Sequence, residues 1–170
     1  LKTEICYVGR RMRETGLTAE SIYIGGGTPT TLTAEQLDDL LQAVEDNMDL
    51  SALKEFTVEA GRPDTITYEK LEAIHKHKVE RISINPQSMK ERTLELIGRS
   101  HEPADIVKAF QKADRVGIPV VNADLITGLP EESPEDFART LDEILALDPE
   151  NITVHTLAVK RASRLVEVDK

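Results

Sequence analysis

The sequence predicts an α/β fold with a parallel sheet and outer helices, on the basis of three observations. Five short runs rich in β-branched residues alternate with longer stretches whose apolar residues recur every three or four positions. The runs recur at intervals of roughly 25–40 residues, which suits a strand, a crossover helix and the next parallel strand. Each run is apolar enough to suggest burial on both faces. The predicted strands are SIYI (21–24), EFTVE (55–59), RISIN (81–85), IPVVNADLI (118–126) and NITVHTL (151–157).

Helices are predicted between the strands from their end signals and apolar stripes. One spans 33–48, where Thr33 and Gln36 match a capping box, in which each side chain satisfies a backbone N–H of the other residue. Ser88 and Glu91 repeat this spacing after the third strand, so a second capped helix is expected there.

Two more helices follow the same logic. Residues 103–116 begin with Pro103 in the first turn, and Gly117 is placed to end the helix. Ser133 opens the helix before the last predicted strand. The three predicted inward stripes are Leu37, Leu40, Leu41, Val44 and Met48, then Ile106, Val107, Phe110, Ala113 and Val116, then Phe137, Leu141, Ile144 and Leu145.

Length and charge restrict the possible functions. The 170 residues suit one domain, which we interpret as a single domain over 1–170. A formal net charge of −10 repels a phosphate backbone, so nucleic acid is not expected as a main partner. No apolar run suits a bilayer crossing or a secretory signal, so we expect a cytoplasmic protein without a membrane partner. Cys6 is the single cysteine and cannot alone form a cysteine metal site.

Polar or glycine residues lie in or directly after each predicted strand, near the edge where the carboxyl ends of parallel strands converge. They are Gly25–Thr30, Glu59, Asn85 and Gln87, Asn122 and Asp124 with Gly128, and His155. The spacing of the strands is compatible with a closed barrel, part of a barrel or an open doubly wound sheet. Five strands are too few for an eight-stranded barrel.

Each of these features also has a purely structural interpretation. The glycines could form a tight connection, or they could leave backbone amides free for a carboxylate or phosphate. Asp124 lies inside an apolar strand, where a charge is costly unless it is paired, so a ligand or network role is favoured. His75 and His77 are expected to face water, His101 is placed in a loop, and His155 suits either a site or a structural role.

With these residues in view, the chain resembles the radical S-adenosylmethionine (SAM) superfamily and, within it, the oxygen-independent coproporphyrinogen III oxidase, or coproporphyrinogen dehydrogenase, family. The motifs that carry the resemblance run in order from about Ile22 to Ala158. They are YIGGGTPTTL (23–32), the Glu59 strand with Pro63, RISINPQSM (81–89), GRSH (98–101), NADLITGLPEES (122–133) and the strand ending at Leu157 and Ala158. The ending HTLAVKRASRL (155–165) is most similar to the coproporphyrinogen dehydrogenase subgroup.

The resemblance implies a partial (β/α)6 barrel of the radical SAM type, here without its first strand. It also implies a role for each matching position. Gly26, Gly27 and Thr28 would bind the methionine end of SAM, and Glu59 would be a binding carboxylate. The other implied SAM contacts are Gln87, Arg99, Asp124 and Ala158, with Ile126 and Gly128 near the adenine.

One departure from the family concerns the iron–sulfur cluster. The CxxxCxxC motif, whose thiolates hold a 4Fe–4S cluster, is absent, and Cys6 cannot replace it. The chain is therefore expected to be an internal fragment of a radical SAM core, inactive alone, with the cluster bound elsewhere in its parent protein. A second departure is Glu59-Ala60-Gly61-Arg62-Pro63, where many relatives have the proline closer to the glutamate.

The implied activity of the parent is the radical oxidative decarboxylation of porphyrinogen propionates to vinyl groups in haem biosynthesis. Its expected partners are a porphyrinogen substrate and an electron donor. One alternative is a haem-binding chaperone of the same family, and another is a non-catalytic structural half-barrel. The oligomeric state stays open, although an open sheet edge favours dimerisation or edge pairing.

Overall fold

The computed structural model describes residues 1–158 and contains one five-stranded sheet. All neighbouring strands pair in parallel, in the order β1-β2-β3-β4-β5. The strands are β1 (Ser21–Ile24), β2 (Glu55–Glu59), β3 (Arg81–Gln87), β4 (Val120–Thr127) and β5 (Asn151–Thr156). The five predicted strands are therefore confirmed, with end points that differ by at most two residues.

The strand order decides between the arrangements that the sequence left open. A doubly wound sheet reverses its strand order at a switch point, whereas a barrel-type sheet adds each strand beside the previous one. Here the sequential order continues across all five strands. The sheet is therefore of the barrel type, and the carboxyl ends of its strands lie along one edge.

Six α-helices connect or precede the strands. They are α1 (Lys2–Thr15), α2 (Ala34–Asn47), α3 (Tyr68–Lys76), α4 (Glu91–Leu96), α5 (Pro103–Val116) and α6 (Pro134–Leu145), with short 3₁₀ turns at Pro29–Thr31 and Pro63–Thr65. None of the helices among residues 1–158 is long and apolar enough to cross a bilayer.

The predicted end signals of three helices are confirmed. Thr33 and Gln36 form the capping box of α2 through both reciprocal hydrogen bonds. Gly117 ends α5 in the left-handed conformation that glycine adopts without steric cost. Ser133 and Asp136 form a capping box at the start of α6.

The hydrophobic core lies between the helices and one face of the sheet, which we call the helix face. Side chains alternate along each strand, so every second residue points toward the helices. The helix face presents Phe56, Val58, Ile82, Ile84, Val121, Ala123 and Leu125, which pack with Leu37, Leu41, Leu71, Ile74, Ile106 and Phe110.

The prediction that every strand is buried on both faces was wrong. β1 and β5 are the edge strands and are largely half-buried or exposed. The second face of the sheet carries mostly polar residues, and we call it the polar face. It presents Tyr23, Glu55, Thr57, Glu59, Arg81, Ser83, Asn85, Asn122, Asp124, Thr153 and His155. In EFTVE and RISIN, polar and apolar residues alternate, which is typical of a strand with one polar face. The sequence prediction used the β-branched content of these runs and did not use this alternation.

Three further local predictions were wrong, two of them because distant residues compete for the same groups. Ser88 does not cap α4, since its hydroxyl donates to Glu132 at 2.5 Å and accepts from the Lys90 N–H. Leu145 is 54% exposed at the end of α6. His77 is buried rather than facing water, with Nε2 2.9 Å from Asp38 Oδ1 and Nδ1 3.2 Å from Glu45 Oε2.

Candidate functional site

The loop after β1 presents bare backbone at the carboxyl edge of the sheet. Gly26 has a φ of +110°, a backbone angle that residues with a side chain rarely adopt. A Cβ at Gly26 or Gly27 would meet nothing within 4 Å. The N–H groups of Gly26, Gly27 and Thr28 have no hydrogen-bond acceptor among residues 1–158. Free N–H groups in such a loop are suited to binding an anionic ligand group.

The loop is anchored by the residues that follow it. Thr30 is fully buried, and its hydroxyl lies 3.1 Å from the Ala60 carbonyl oxygen and 2.6 Å from the Thr65 hydroxyl. The Thr31 hydroxyl donates to the Thr28 carbonyl at 2.7 Å. These bonds hold the glycine loop against the segment that follows β2, so the free N–H groups have a fixed direction.

Glu59 lies beside this loop at the end of β2. Its Oε1 accepts a hydrogen bond of 3.1 Å from Asn85 Nδ2. A Cβ at Gly25 would lie 2.8 Å from Glu59 Oε2 and would press against the Tyr23 ring, so a larger residue would displace one of these side chains. Within the described part of the chain, Glu59 forms no ion pair.

A cavity of about 390 Å³ brings five of the predicted site residues together. It is lined by Gly26, Gly27, Thr28, Glu59, Gly61, Arg62, Asn85, Ile97, Gly98 and Arg99. The cavity therefore combines free N–H groups, one carboxylate and two guanidinium groups. Such a set suits a small ligand that carries both positive and negative charge.

Arg99 reaches the cavity from the segment after α4. Burial lowers the pKa of Arg99, and the like charge of Arg62 lowers it further. Two guanidinium groups in one cavity favour an anion between them, because the anion relieves their repulsion. The sequence marked Arg99 only through its family resemblance and did not assign Arg62 to the site.

His101 was placed in a loop, but its structural role was missed. It is 3% exposed, and its Nε2 lies 3.3 Å from the Pro86 carbonyl oxygen. Its Nδ1 is buried without a partner among the described residues, and burial lowers the pKa of His101. The neutral imidazole ties the segment that carries Arg99 to the end of β3.

Asp124 lies on the polar face in a second hollow of about 230 Å³, away from the glycine loop. Its carboxylate accepts hydrogen bonds from Ser83 Oγ at 3.0 Å and from Asn122 Nδ2 at 2.6 Å. Thr153 donates to Asn122 at 2.9 Å and extends this network to β5. Asp124 is thus stabilised by neutral donors, and it has no ion pair within residues 1–158.

The remaining predicted residues lie apart from the 390 Å³ cavity. Gln87 follows an irregularity in β3, has a φ of +69° and is 6% exposed, and its Oε1 is buried without a partner in the described chain. Ala158 is exposed two residues after β5. His155 lines the second hollow beside Asp124. Residues 159–165 of the last motif lie outside the described residues.

The comparisons with known proteins decide the family. The family model described as the radical SAM superfamily matches residues 5–144. The chain belongs to the radical SAM superfamily. The predicted resemblance is therefore confirmed, and members of this superfamily bind SAM and a 4Fe–4S cluster.

Within the superfamily, similar proteins carry two kinds of name. The chain is 44% identical to the oxygen-independent coproporphyrinogen-III oxidase-like protein HemZ of Bacillus subtilis over 97% of this chain and 33% of that protein. It is 36% identical to the heme chaperone HemW of the same organism over 83% of this chain and 37% of that protein. The chain thus spans about a third of the length of these relatives.

A solved structure agrees with the fold. The chain matches coproporphyrinogen III oxidase (HemN) from Escherichia coli, a radical SAM enzyme, with a TM-score of 0.82 and 28% identity. The match covers 92% of this chain and 36% of that one. The predicted α/β fold of the radical SAM type is therefore confirmed.

The two cofactors of the superfamily fit this chain differently. No group of three His, Cys, Asp or Glu side chains among residues 1–158 could hold a metal, and Cys6 is exposed on α1. The described residues therefore do not fit a 4Fe–4S cluster. SAM fits better, because the glycine loop offers free N–H groups to its carboxylate, and Glu59 can accept hydrogen bonds from its ammonium or ribose groups.

Proposed function

We propose that this chain is the SAM-binding core of an oxygen-independent coproporphyrinogen III dehydrogenase. The observation that carries the proposal is the 390 Å³ cavity, where unpartnered N–H groups of the glycine loop face the carboxylate of Glu59. HemZ is named as coproporphyrinogen-III oxidase-like and shares 44% identity with this chain. The cytoplasmic location, the porphyrinogen substrate and the electron donor are parts of the same proposal.

The charges of the site support this ligand. SAM carries a sulfonium, an ammonium and a carboxylate group. Glu59 and Asp124 are carboxylates without ion pairs in the described chain, so each is available to a positively charged group of a ligand. Gly26, Gly27 and Thr28 would hold the ligand carboxylate, and Glu59 would hold its ammonium or ribose. Gln87, Arg99, Asp124 and Ala158 are proposed as further contacts on the strength of the resemblance.

The chain's own contribution is binding and orientation. SAM supplies one-electron chemistry when it is bound beside a reduced cluster, and the described residues hold no site for that cluster. The task of this core is therefore to place SAM in a fixed position and to exclude water, since the cofactors carry the reactive chemistry.

The first test uses a longer protein that contains this chain and an upstream cysteine motif, reconstituted without oxygen. SAM cleavage and porphyrin products are measured with coproporphyrinogen III, and the 170-residue chain is the control. We expect deoxyadenosine together with a decarboxylated porphyrin from the longer protein alone. Cleavage of SAM without decarboxylation would exclude coproporphyrinogen III as the substrate. The absence of any SAM binding would favour the interpretation of the chain as a non-catalytic structural half-barrel.

Asp124→Ala tests the site within that protein. We expect SAM affinity to fall about tenfold or more, because a hydrogen-bonded carboxylate that contacts the ligand is lost. Asp142→Ala is the matched control, since Asp142 is exposed on α6. An unchanged affinity in Asp124→Ala would contradict its proposed role.

A haem chaperone is the second candidate, because HemW proteins are also similar to this chain. This function predicts haem binding by the longer protein and no decarboxylated product. The product analysis above therefore separates the two candidates.

A further inference from the structure

Two neutral side chains, Asn85 and Ser83, lie between Glu59 and Asp124 on the polar face. Asn85 Nδ2 donates to Glu59 Oε1 at 3.1 Å, and Asn85 Oδ1 lies 3.3 Å from Ser83 Oγ. The Ser83 hydroxyl lies 3.0 Å from Asp124 Oδ2. Asn85 is 8% exposed and Ser83 is 3% exposed, so water contributes little to holding these groups.

The hydrogen atoms of this network can be assigned. Asn122 Nδ2 uses both of its hydrogens, donating to Ser83 Oγ at 2.9 Å and to Asp124 Oδ1 at 2.6 Å. The single Ser83 hydrogen then goes to the carboxylate of Asp124, which is the nearer and charged acceptor. Asn85 keeps its amide hydrogens, and its Nδ2 donates to the Glu59 carboxylate at 3.1 Å.

Glu59 is also restricted on its other side. Its Oε2 lies against the backbone of Gly25, where an added Cβ would be only 2.8 Å away. The same Cβ would contact the Tyr23 ring. The carboxylate is thus held between the glycine loop and the amide of Asn85, with a defined orientation toward the cavity.

We propose that Asn85 is a positioning residue that orients Glu59 for SAM while leaving its charge available. A lysine or arginine at this position would also orient Glu59, but it would neutralise the charge that the ligand needs. An amide orients the carboxylate through a neutral donor instead. This inference rests on the proposed function and gives Asn85, which lines the same cavity, a role that acts through Glu59.

Two substitutions in the longer, cluster-loaded protein test the proposal, with SAM binding followed by titration calorimetry. Asn85→Ala removes the donor, and we expect affinity to fall about tenfold at every pH. Asn85→Asp keeps the shape but places two carboxylates about 3 Å apart, so one of them must take up a proton to restore a hydrogen bond.

The pH profile separates positioning from a merely structural role. For Asn85→Asp, we expect a large loss of affinity at about pH 8 and recovery toward the wild-type value at about pH 5, where a protonated carboxyl donates again. The charged or titratable groups near Glu59 are Tyr23 on β1, Asp124 on β4, and Arg62 and Arg99 beside the cavity. The Asn151→Asp protein is the control, because Asn151 is exposed at the start of β5.

Each outcome has a defined meaning. Recovery at low pH in Asn85→Asp, but not in the control or in Asn85→Ala, supports positioning. Unchanged or increased affinity in both Asn85 variants overturns it while leaving the proposed function intact. A wild-type protein that binds no SAM overturns the proposed function itself. If Asn85→Asp does not fold at pH 8, the affinity of Asn85→Ala decides the question.

Discussion

On the helix face of the sheet, Phe56 and Ile84 are 2% and 0% exposed and belong to the hydrophobic core. On the polar face of the same strands, Glu59 and Asn85 are joined by a hydrogen bond beside an open cavity. Successive residues of one strand therefore serve different purposes. The helix face supplies much of the free energy of folding, and the polar face presents fixed hydrogen-bonding groups that we propose bind a ligand.

The largest effect is expected from breaking the helix face. Phe56→Ala should lower the free energy of unfolding by about 3–5 kcal/mol, because it removes a buried aromatic ring and leaves a cavity. Chemical denaturation measures this change. The neighbouring Glu55→Ala is the control on the polar face, where the side chain is exposed and a change below about 1 kcal/mol is expected. Equal losses would contradict the division between the faces.

Gly25→Ala should have the reverse effect, with a small cost in stability and a large cost in binding. The added Cβ would push against the Tyr23 ring and Glu59 Oε2, both of which are side-chain ends that can move. We expect the free energy of unfolding to change by less than about 1 kcal/mol and SAM affinity to fall about tenfold. Parallel denaturation and calorimetric titration check both values. A variant that binds normally would show that the position of Glu59 is unimportant.

The buried His101 predicts that the free energy of unfolding depends on pH. Burial lowers the pKa of His101, so the unfolded chain binds the proton more readily than the folded chain does. Its contribution to stability is complete above about pH 6.5 and is lost as the pH falls from there toward its folded pKa. Charged groups near it are Arg99, Asp64 and Asp105.

Denaturation curves between neutral and mildly acidic pH measure this effect. His101→Gln should flatten the fall in stability over that range, whereas His75→Gln, at an exposed position on α3, should not. A variant that keeps the wild-type pH dependence would assign the effect to another group.

The smallest effect is expected at Cys6, which belongs to neither face of the sheet. Its thiol is exposed on α1 and has no metal-binding neighbours in the described chain. Cys6→Ser should therefore change the free energy of unfolding by less than about 0.5 kcal/mol. It should also leave the iron content of the reconstituted 170-residue chain unchanged. A lower iron content in Cys6→Ser would indicate that Cys6 is a ligand of the cluster.

The site was predictable where family motifs mark it and unpredictable where side chains meet across strands. Gly26, Gly27, Thr28, Glu59 and Arg99 were chosen from the sequence, and they line one cavity. Their roles in binding SAM stay predictions. Asp124 lies in a separate hollow, and its donor Ser83 comes from another strand, where no local pattern marks the contact.

Local order was determined by the sequence alone. Strand positions, the capping boxes at Thr33 and Ser133 and the end of α5 at Gly117 all depend on residues within a few positions of one another. The tertiary structure decided the rest. Ser88 left its predicted cap for Glu132, and His77 became buried between Asp38 and Glu45, because the sequential strand order brings residues about 30 to 45 positions apart into contact. Such contacts depend on which elements pack side by side, and no local pattern encodes that.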